Sequence, residues 1–546
     1  MKKFFNLKNI LLILVVVLAF GLRFYRLDSF PSLNADEAAI GYNAYSLIKT
    51  GRDEHGNPWP IHFQSFNDYK PGLYFYVVLP FVKVLGLTEW AVRIPGAMAG
   101  VLSVFVIYLL VKELLDRERL AVISALFLAI SPWHIHFSRG GWEVNVATFL
   151  MLLGVWLFVK SAKRDFNLKT LSFSVLAFAA SMYTYHAERV IVPLLGLGLI
   201  IIYRSQVGKN LKKIIIAGVI GLALIAPLAR DISSGAVASR AAGVGLFADP
   251  GPLSRIEEQR GEHLSLAGIF ARGLHNKAVN YGLAFVSNWA THYWGEFLFL
   301  SGDVIQRNRV PETGQMYMYD IALVAVGLFM VIKTFKREYG IIALWLLLAP
   351  VAAALTFQSP HALRAHNMVV PLVIVSAIGL ETVLNLADRL KRFKTAGILL
   401  ISFVMLLSFG RYIHMYWVHM AKEYPYSSQY GVKELVGYIK ENESKYKKIL
   451  TTDRYDQPYI LFLFYMKYDP ARFQGEHTLT HRDGFGFSTV NHFDKYYFAS
   501  IKFDQAIPEN PGAMIIGTEG EITKEANIVK DIYGSNGFLY FRAVAN

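Results

Sequence analysis

The 546-residue sequence contains no cysteine. This excludes disulfides, thiolate metal sites and a cysteine nucleophile, so any part outside the cytoplasm must hold together by packing. Repeats of fixed period and low-complexity tracts are missing too, which excludes solenoid and fibrous designs. No small-residue cleavage site precedes Arg23, so the opening apolar run reads as an uncleaved first span rather than a signal peptide. A clustered basic surface is also lacking. The net charge is +14, but the lysines and arginines recur in short runs between apolar segments, a pattern that reports topology and argues against a nucleic-acid partner.

What the sequence has in excess is apolar surface. It is 54% hydrophobic and 14% aromatic, with a mean hydropathy of +0.35, more than a soluble domain can bury. The chain therefore reads as a polytopic α-helical membrane protein. A span needs about 20 predominantly apolar residues. Stretches of that kind lie near 9–27, 91–111, 120–133, 146–160, 170–186, 190–203, 214–229, 318–333, 340–357, 367–387 and 396–413, which predicts about 11 spans. The run 72–86 is broken by Pro80 and Lys83 and reads as re-entrant or interfacial. Basic residues then fall on one side: Lys2, Lys3 and Lys8; Lys160, Lys163 and Arg164; Lys209, Lys212 and Lys213; Lys333, Lys336 and Arg337; Arg389, Lys391, Arg392 and Lys394. By the positive-inside rule the N-terminus is cytoplasmic and the C-terminus is outside, in a multi-pass protein of the plasma membrane.

The expected domains are a transmembrane domain over 1–413, with outer loops 28–90 and 230–317, and a small extracytoplasmic α/β domain over 414–546. In the tail, spacing predicts helices at 430–440 and 459–468, strands at 448–452 and 514–517, and a hairpin of 528–533 with 538–543. Within the second outer loop, amphipathic helices are expected at 253–273 and 275–300.

The chain is organised around Phe30 to Tyr42, where Asp36 and Glu37 follow the first apolar run. Two carboxylates at the mouth of a membrane helix are costly unless charge is needed there. The plainer alternative is an interfacial helix over 36–49, whose positive end favours acids. Further polar groups gather in the same outer loops: Asp68 and Lys70; His134, His136, Arg139 and Glu143; His186, Glu188 and Arg189; His361, Arg364 and His366. A carboxylate can take a proton from an attacking hydroxyl, while lysine and arginine can hold a phosphate. Each group also has an ordinary reading. Lys70 can snorkel, His134 and His136 can sit at headgroup level, Arg139 and Glu143 can pair at i,i+4, and the 186–189 group can be an interfacial cluster.

Taken in order, the motifs FPSLNADEA, NDYKPGLYFY, EWAVRIPGAMAGVLSVFVIYLL and SPWHIHFSRGGWEVNVA resemble the bacterial GT-C membrane glycosyltransferases of the protein O-mannosyltransferase and aminoarabinose-transferase type. The likeness covers the first 200 or so residues, the Ser359–Ala365 loop less closely, and the tail in general layout. It implies a GT-C-like fold and an inverting transfer of sugar from a polyprenyl-phosphate monosaccharide on the outer membrane face. It gives Asp36 the role of base or acceptor-orienting group with Glu37 beside it, and sets Lys70, His361 and Arg364 at the donor phosphate. Glu143, following Arg139, takes the place of the acidic residue in the second outer loop, and from the polar outer loops Asp68, Arg139, His186 and Arg189 join it as expected secondary substrate-binding residues. Tyr69 fills the slot before the lysine where the aminoarabinose transferases have an acid, and the sugar-fold insert of the protein O-mannosyltransferases has no counterpart in 230–317. Because polyprenyl phosphate is itself a charged leaving group, no metal ligands are expected and no cofactor is obligatory, although a divalent metal is possible. The expected partners are the donor, the lipid bilayer and an acceptor that is a protein, a lipid or a surface polymer. A lipid-linked-sugar flippase, or a membrane sensor or assembly protein, are the competing readings; a transporter would carry charges midway along its spans.

Overall fold

Runs of apolar residues without turn chemistry become helices, and their lengths decide which can cross a bilayer. The computed structural model describes residues 7–233, 243–263, 268–334, 336–389, 394–424, 427, 429–483 and 487–546. Lys2, Lys3, Lys391 and Arg392, used above for orientation, lie outside the described residues. Among the described helices, six are long and apolar enough to span: Glu89–Leu115, Glu143–Ala162, Leu211–Ser233, Arg337–Ala354, His366–Arg389 and Lys394–Glu423. A seventh arises if Glu118–Ile130 and Pro132–Ser138, bent by 58°, form one span. Asn9–Phe24 and Leu73–Leu85 are apolar but shorter. Three further expected spans are the helices Leu168–Thr184, Glu188–Ile202 and Asp320–Thr334, of 17, 15 and 15 residues. These fall short of the roughly 20 residues of a straight crossing. The protein is thus a multi-span, mostly helical membrane protein.

The described residues divide into two compact units. The first comprises Met1–Arg23, Met98–Ser138 and Glu143–Ile413. Its bent helix has an identifiable cause. Pro132 has no N–H to give the Leu128 carbonyl, and the Trp133 N–H turns instead to the Gln315 carbonyl. The buried Arg23 guanidinium fills the gap, donating to Leu128 O at 3.2 Å and Ala129 O at 3.1 Å. Elsewhere in this unit Asp320–Thr334 crosses Val369–Arg389 at paired glycines. A Cβ on Gly327 would strike the Val375 carbonyl, and one on Gly379 the Leu323 carbonyl. Small residues let helices approach closely where lipid supplies no hydrophobic drive. The expected helix at 253–273 is Gly251–Glu262 and Gly268–Leu274, with 264–267 outside the described residues, and the one expected at 275–300 ends at Thr291.

The second unit comprises Phe24–Ala97, Arg139–Trp142 and His414–Asn546. At its centre is the helix Ala35–Thr50, packed on Leu73–Leu85 and on Pro458–Met466. A Cβ on Gly41 would come within 2.6 Å of the Phe464 ring and 2.7 Å of Val92 Cγ2, so any larger residue here would force Phe464 or Val92 to shift. The first loop also forms an unexpected hairpin of β1, His62–Ser65, and β2, Asp68–Pro71. The tail builds a six-stranded sheet among the described residues from β3 (Lys448–Thr451), β4 (His492–Phe493), β5 (Tyr496–Phe498), β6 (Ala513–Gly517), β7 (Ile528–Tyr533) and β8 (Leu539–Ala545). The order is β4-β5-β3-β6-β8-β7, with β3 parallel to β5 and β6 and the remaining pairs antiparallel. Ile501, Ile515, Ile522 and Val544 fill the core on one side of this sheet.

Candidate functional site

Asn34 begins the acidic helix as its N-cap. It accepts from the Glu37 N–H at 3.0 Å, while Glu37 Oε2 accepts from the Asn34 N–H at 3.2 Å. This reciprocal box explains why a glutamate stands three residues after the cap. Glu37 does more than cap. Arg93 Nε donates to Oε1 at 2.6 Å and Nη2 to Oε2 at 2.8 Å, and the Gly141 N–H donates to Oε1 at 2.8 Å. Both side chains are buried. The other arm of Arg93 holds the Leu27 and Pro31 carbonyls at 2.9 and 2.8 Å, so the carboxylate fixes the approach of the first loop.

Asp36 points elsewhere. Its side chain is 25% exposed, and its Oδ1 lies 2.5 Å from Lys70 Nζ, whose side chain is 9% exposed. Lys70 stands on β2 and passes over the Phe66 ring at 4.6 Å. The turn that presents it has Phe66 and Asn67 at φ 56° and 55°, as a two-residue hairpin loop matching the strand twist requires. For phenylalanine this left-handed backbone is unfavourable. The tail of the same unit holds it there: the Ser488 N–H donates to Phe66 O at 2.9 Å, Asn67 Nδ2 to Ser488 Oγ at 3.1 Å, and Arg482 to Asn67 O at 3.1 Å. Asp68 opens β2 and accepts from the Tyr69 N–H at 2.9 Å.

Arg139 is buried in this unit as well. It donates to Tyr25 O at 2.8 Å, Phe30 O at 3.1 Å and Tyr416 Oη at 3.0 Å, with its guanidinium 4.7 Å from the Trp417 ring. Arg139 and Glu143 do not share one helix. Pro132–Ser138 ends before Arg139 and the next helix begins at Glu143, because Gly140 and Gly141 interrupt the helical spacing.

Sequence reasoning missed Glu54, which is fully buried in the same unit, with its N–H bonded to Asn43 Oδ1 at 2.9 Å. Burial pushes its carboxyl up to about 8; neighbouring Asp53 adds to the rise, and Asn43 and the Lys70 ammonium oppose it. Beside it His55 Nδ1 lies 2.8 Å from His477 Nε2, and burial, then His477, drives His55 down to about 3. The available signal was a second Asp-Glu dipeptide, 53–54, repeating the chemistry of 36–37.

The remaining candidates belong to the first unit: Glu143, His186, Arg189, His361 and Arg364. Glu143 is the first residue of its helix. Arg189 Nη1 lies 3.0 Å from His186 Nδ1 and its Nε donates to Met182 O at 3.2 Å, tying the pair to the end of Leu168–Thr184. His361 lies 3.6 Å from Asp303 Oδ2, and the same oxygen accepts from the Ala362 N–H at 2.6 Å. The His361 N–H donates to His292 Nε2 at 3.1 Å, and Arg364 donates to Thr356 Oγ1 at 2.7 Å. Asp303 and His292 were also missed. Burial raises the Asp303 carboxyl against its hydrogen bonds to Ile305, Ala362 and Asn308, and lowers His292 to about 4. Among the described residues no cluster of three or more histidine, aspartate or glutamate side chains is arranged to hold a metal.

Residues 69–229 match the family described as dolichyl-phosphate-mannose-protein mannosyltransferase. The candidate mannosyltransferase YycA of Bacillus subtilis (strain 168) is 29% identical over 168 residues, 30% of this chain. The match spans about a quarter, 24%, of that relative's length. In fold, ArnT from Cupriavidus metallidurans bound to undecaprenyl phosphate aligns with a TM-score of 0.54 at 12% identity, over 98% of this chain and 97% of that one. The Archaeoglobus fulgidus oligosaccharyltransferase aligns with a TM-score of 0.53 at 13% identity, over 85% of this chain and 64% of that one. The chain thus shares the fold of these multi-span membrane proteins, and part of its sequence, residues 69–229, is similar to mannosyltransferases. The matched sequence is mannosyltransferase-like, in line with the resemblance drawn from the motifs.

Proposed function

We propose that this chain transfers a sugar, with inversion, from a polyprenyl-phosphate monosaccharide to an acceptor hydroxyl at the outer face of the plasma membrane. The observation that carries this reading is the 2.5 Å contact between Lys70 and Asp36. A buried lysine supplies a cation for a phosphate, and a partly exposed carboxylate supplies a base. Donor phosphate would draw the Lys70 ammonium away from Asp36, releasing the carboxylate when the sugar arrives. The acceptor oxygen then attacks the anomeric carbon and its proton passes to Asp36. The bond from that carbon to the phosphate oxygen breaks, and polyprenyl phosphate leaves with the electron pair while Lys70 balances its charge. Glu37, whose oxygens are engaged by Arg93, Gly141 and Asn34, positions the helix that carries Asp36.

The donor class draws support from the family description, which names a dolichyl-phosphate sugar, and from the ArnT structure, which binds undecaprenyl phosphate. The test is transfer from labelled polyprenyl-phosphate mannose by the purified chain in lipid nanodiscs, run with and without chelator. Transfer surviving chelation supports the reading without an obligatory metal; activity restored by one divalent ion overturns that part. An unaltered rate in Asp36→Asn removes Asp36 from the mechanism, since loss of a positioned base costs on the order of 10²–10⁴-fold.

A further inference from the structure

Within the second unit a cavity of about 330 Å³ opens between the stretch leading into the acidic helix and the first helix of the tail. This is at the lower end of the roughly 300–1,000 Å³ typical of sites that enclose a small ligand. Its walls carry Asp28, Glu89, Glu434, Lys433, Tyr430 and Tyr465. Three carboxylates thus face one ammonium, and that ammonium is engaged: Lys433 Nζ is 2.6 Å from Glu89 Oε1 and 5.9 Å from the Tyr465 ring centre. Lys530 reaches Glu434 at 2.9 Å, and the acids still outnumber the cations. A phosphate or another anionic headgroup would be repelled from such a lining. Carboxylates instead accept strong hydrogen bonds from hydroxyls, and tyrosine combines an apolar ring face with a polar tip. A neutral ring bearing several hydroxyls satisfies both.

The cavity is built onto the proposed catalytic helix. Pro31 and Ser32 line it, and their carbonyls accept from Arg93 at 2.8 and 3.2 Å, the same guanidinium that grips Glu37. Gln429, also in the wall, accepts from the N–H of Ala35, the residue before Asp36, at 2.5 Å. A ligand seated here is therefore held by backbone continuous with the residue that would take the acceptor proton. We infer that this cavity is an acceptor subsite and that the acceptor it takes is a neutral saccharide. The word acceptor rests on the transferase reading; saccharide binding does not.

The experiment measures binding without donor. The full chain in nanodiscs is titrated with maltose, cellobiose, chitobiose and mannobiose, beside glycerol 3-phosphate and a lysine-rich peptide, with saturation-transfer NMR as the readout. The expected result is millimolar binding of at least one disaccharide, weakened about tenfold or more by Asp28→Asn and by Tyr430→Ala, about the loss of one hydrogen bond to a charged group. Tyr430 packs on Tyr540 at 5.4 Å, so the isosteric change at exposed Asp28 keeps the test valid if the tyrosine variant fails to fold. Binding of glycerol phosphate or the peptide in place of the disaccharides overturns the inference, as does no disaccharide binding or binding indifferent to Asp28→Asn. Disaccharide binding without any sugar transfer would sink the transferase reading and leave this one standing.

Discussion

Arg93 grips Glu37 with two parallel hydrogen bonds of 2.6 and 2.8 Å, in a place where both side chains are buried. The neighbouring Asp36, one residue earlier, is 25% exposed and faces Lys70. Adjacent acids have thus been given different tasks by the helix that carries them, because successive helical positions point about 100° apart.

That division predicts opposite phenotypes. Glu37→Gln leaves the Arg93 charge buried with a neutral partner, and breaking a buried pair costs about 3–5 kcal/mol, so the melting temperature should fall sharply. Asp36→Asn keeps an acceptor oxygen for Lys70 and should remove transfer while lowering the melting temperature less than Glu37→Gln does. Thermal unfolding of both variants beside a transfer assay checks this, and equal destabilisation would contradict it.

Lys70→Ala should weaken donor binding. Hydrogen bonds to charged groups are worth about 1.5–3 kcal/mol, so the donor KM should rise about 10- to 100-fold with the fold retained. Circular dichroism together with donor titration reads both quantities. A variant with unchanged donor affinity would return Lys70 to a purely interfacial role.

Glu54 makes stability depend on pH. Its carboxyl titrates near 4.5 when unfolded and near 8 when folded, so the folded state holds the extra proton between those values. Stability is then lost as pH rises through that window, by about 1.4 kcal/mol per unit. His55, depressed from 6.5 to about 3, works in the other direction, adding stability as pH rises towards 6.5. The two slopes oppose each other below 6.5, and the Glu54 loss stands clear between about 6.5 and 8. Glu54→Gln should abolish that loss, and melting temperature against pH for both proteins gives the answer. Parallel curves would mean that Glu54 is ionised when folded.

Gly379→Ala should separate Asp320–Thr334 from Val369–Arg389, because the added methyl meets the Leu323 carbonyl. Overpacking of this kind costs about 1–3 kcal/mol. Unfolding in detergent measures it, and a neutral result would show that the helices can slide apart.

The outline of the fold was legible where local pattern and tertiary structure agree. The tail helices and strands fall at Val432–Asn442, Lys448–Thr451, Pro458–Met466 and Ala513–Gly517, within a few residues of expectation, and the last hairpin turns at Gly534 to Gly537 as its glycines require. Asp36 stood out because charge at the edge of an apolar run does, while only the family resemblance set Lys70 at the same site. The β1–β2 hairpin was not, because its strands have four residues each and its turn uses Phe66 and Asn67 without the usual glycine. Nor were β4 and β5, of two and three residues, too short to show alternation. Arg93 hid for a different reason, as did the partners of Arg139. An arginine in an apolar helix or before a glycine pair gives no sign of its partner, and the carbonyls and carboxylates that satisfy them come from distant stretches.

Tyr42 Oη donates to the Tyr468 carbonyl across 426 residues of chain at 3.2 Å. The helix that carries Tyr42 thus waits for a partner that leaves the ribosome 426 residues later. Truncated or stalled products would carry the acidic dipeptide without its support. The lysine that faces it would lack the clamp from Ser488 and Arg482, so competence arrives only once that distant stretch is in place.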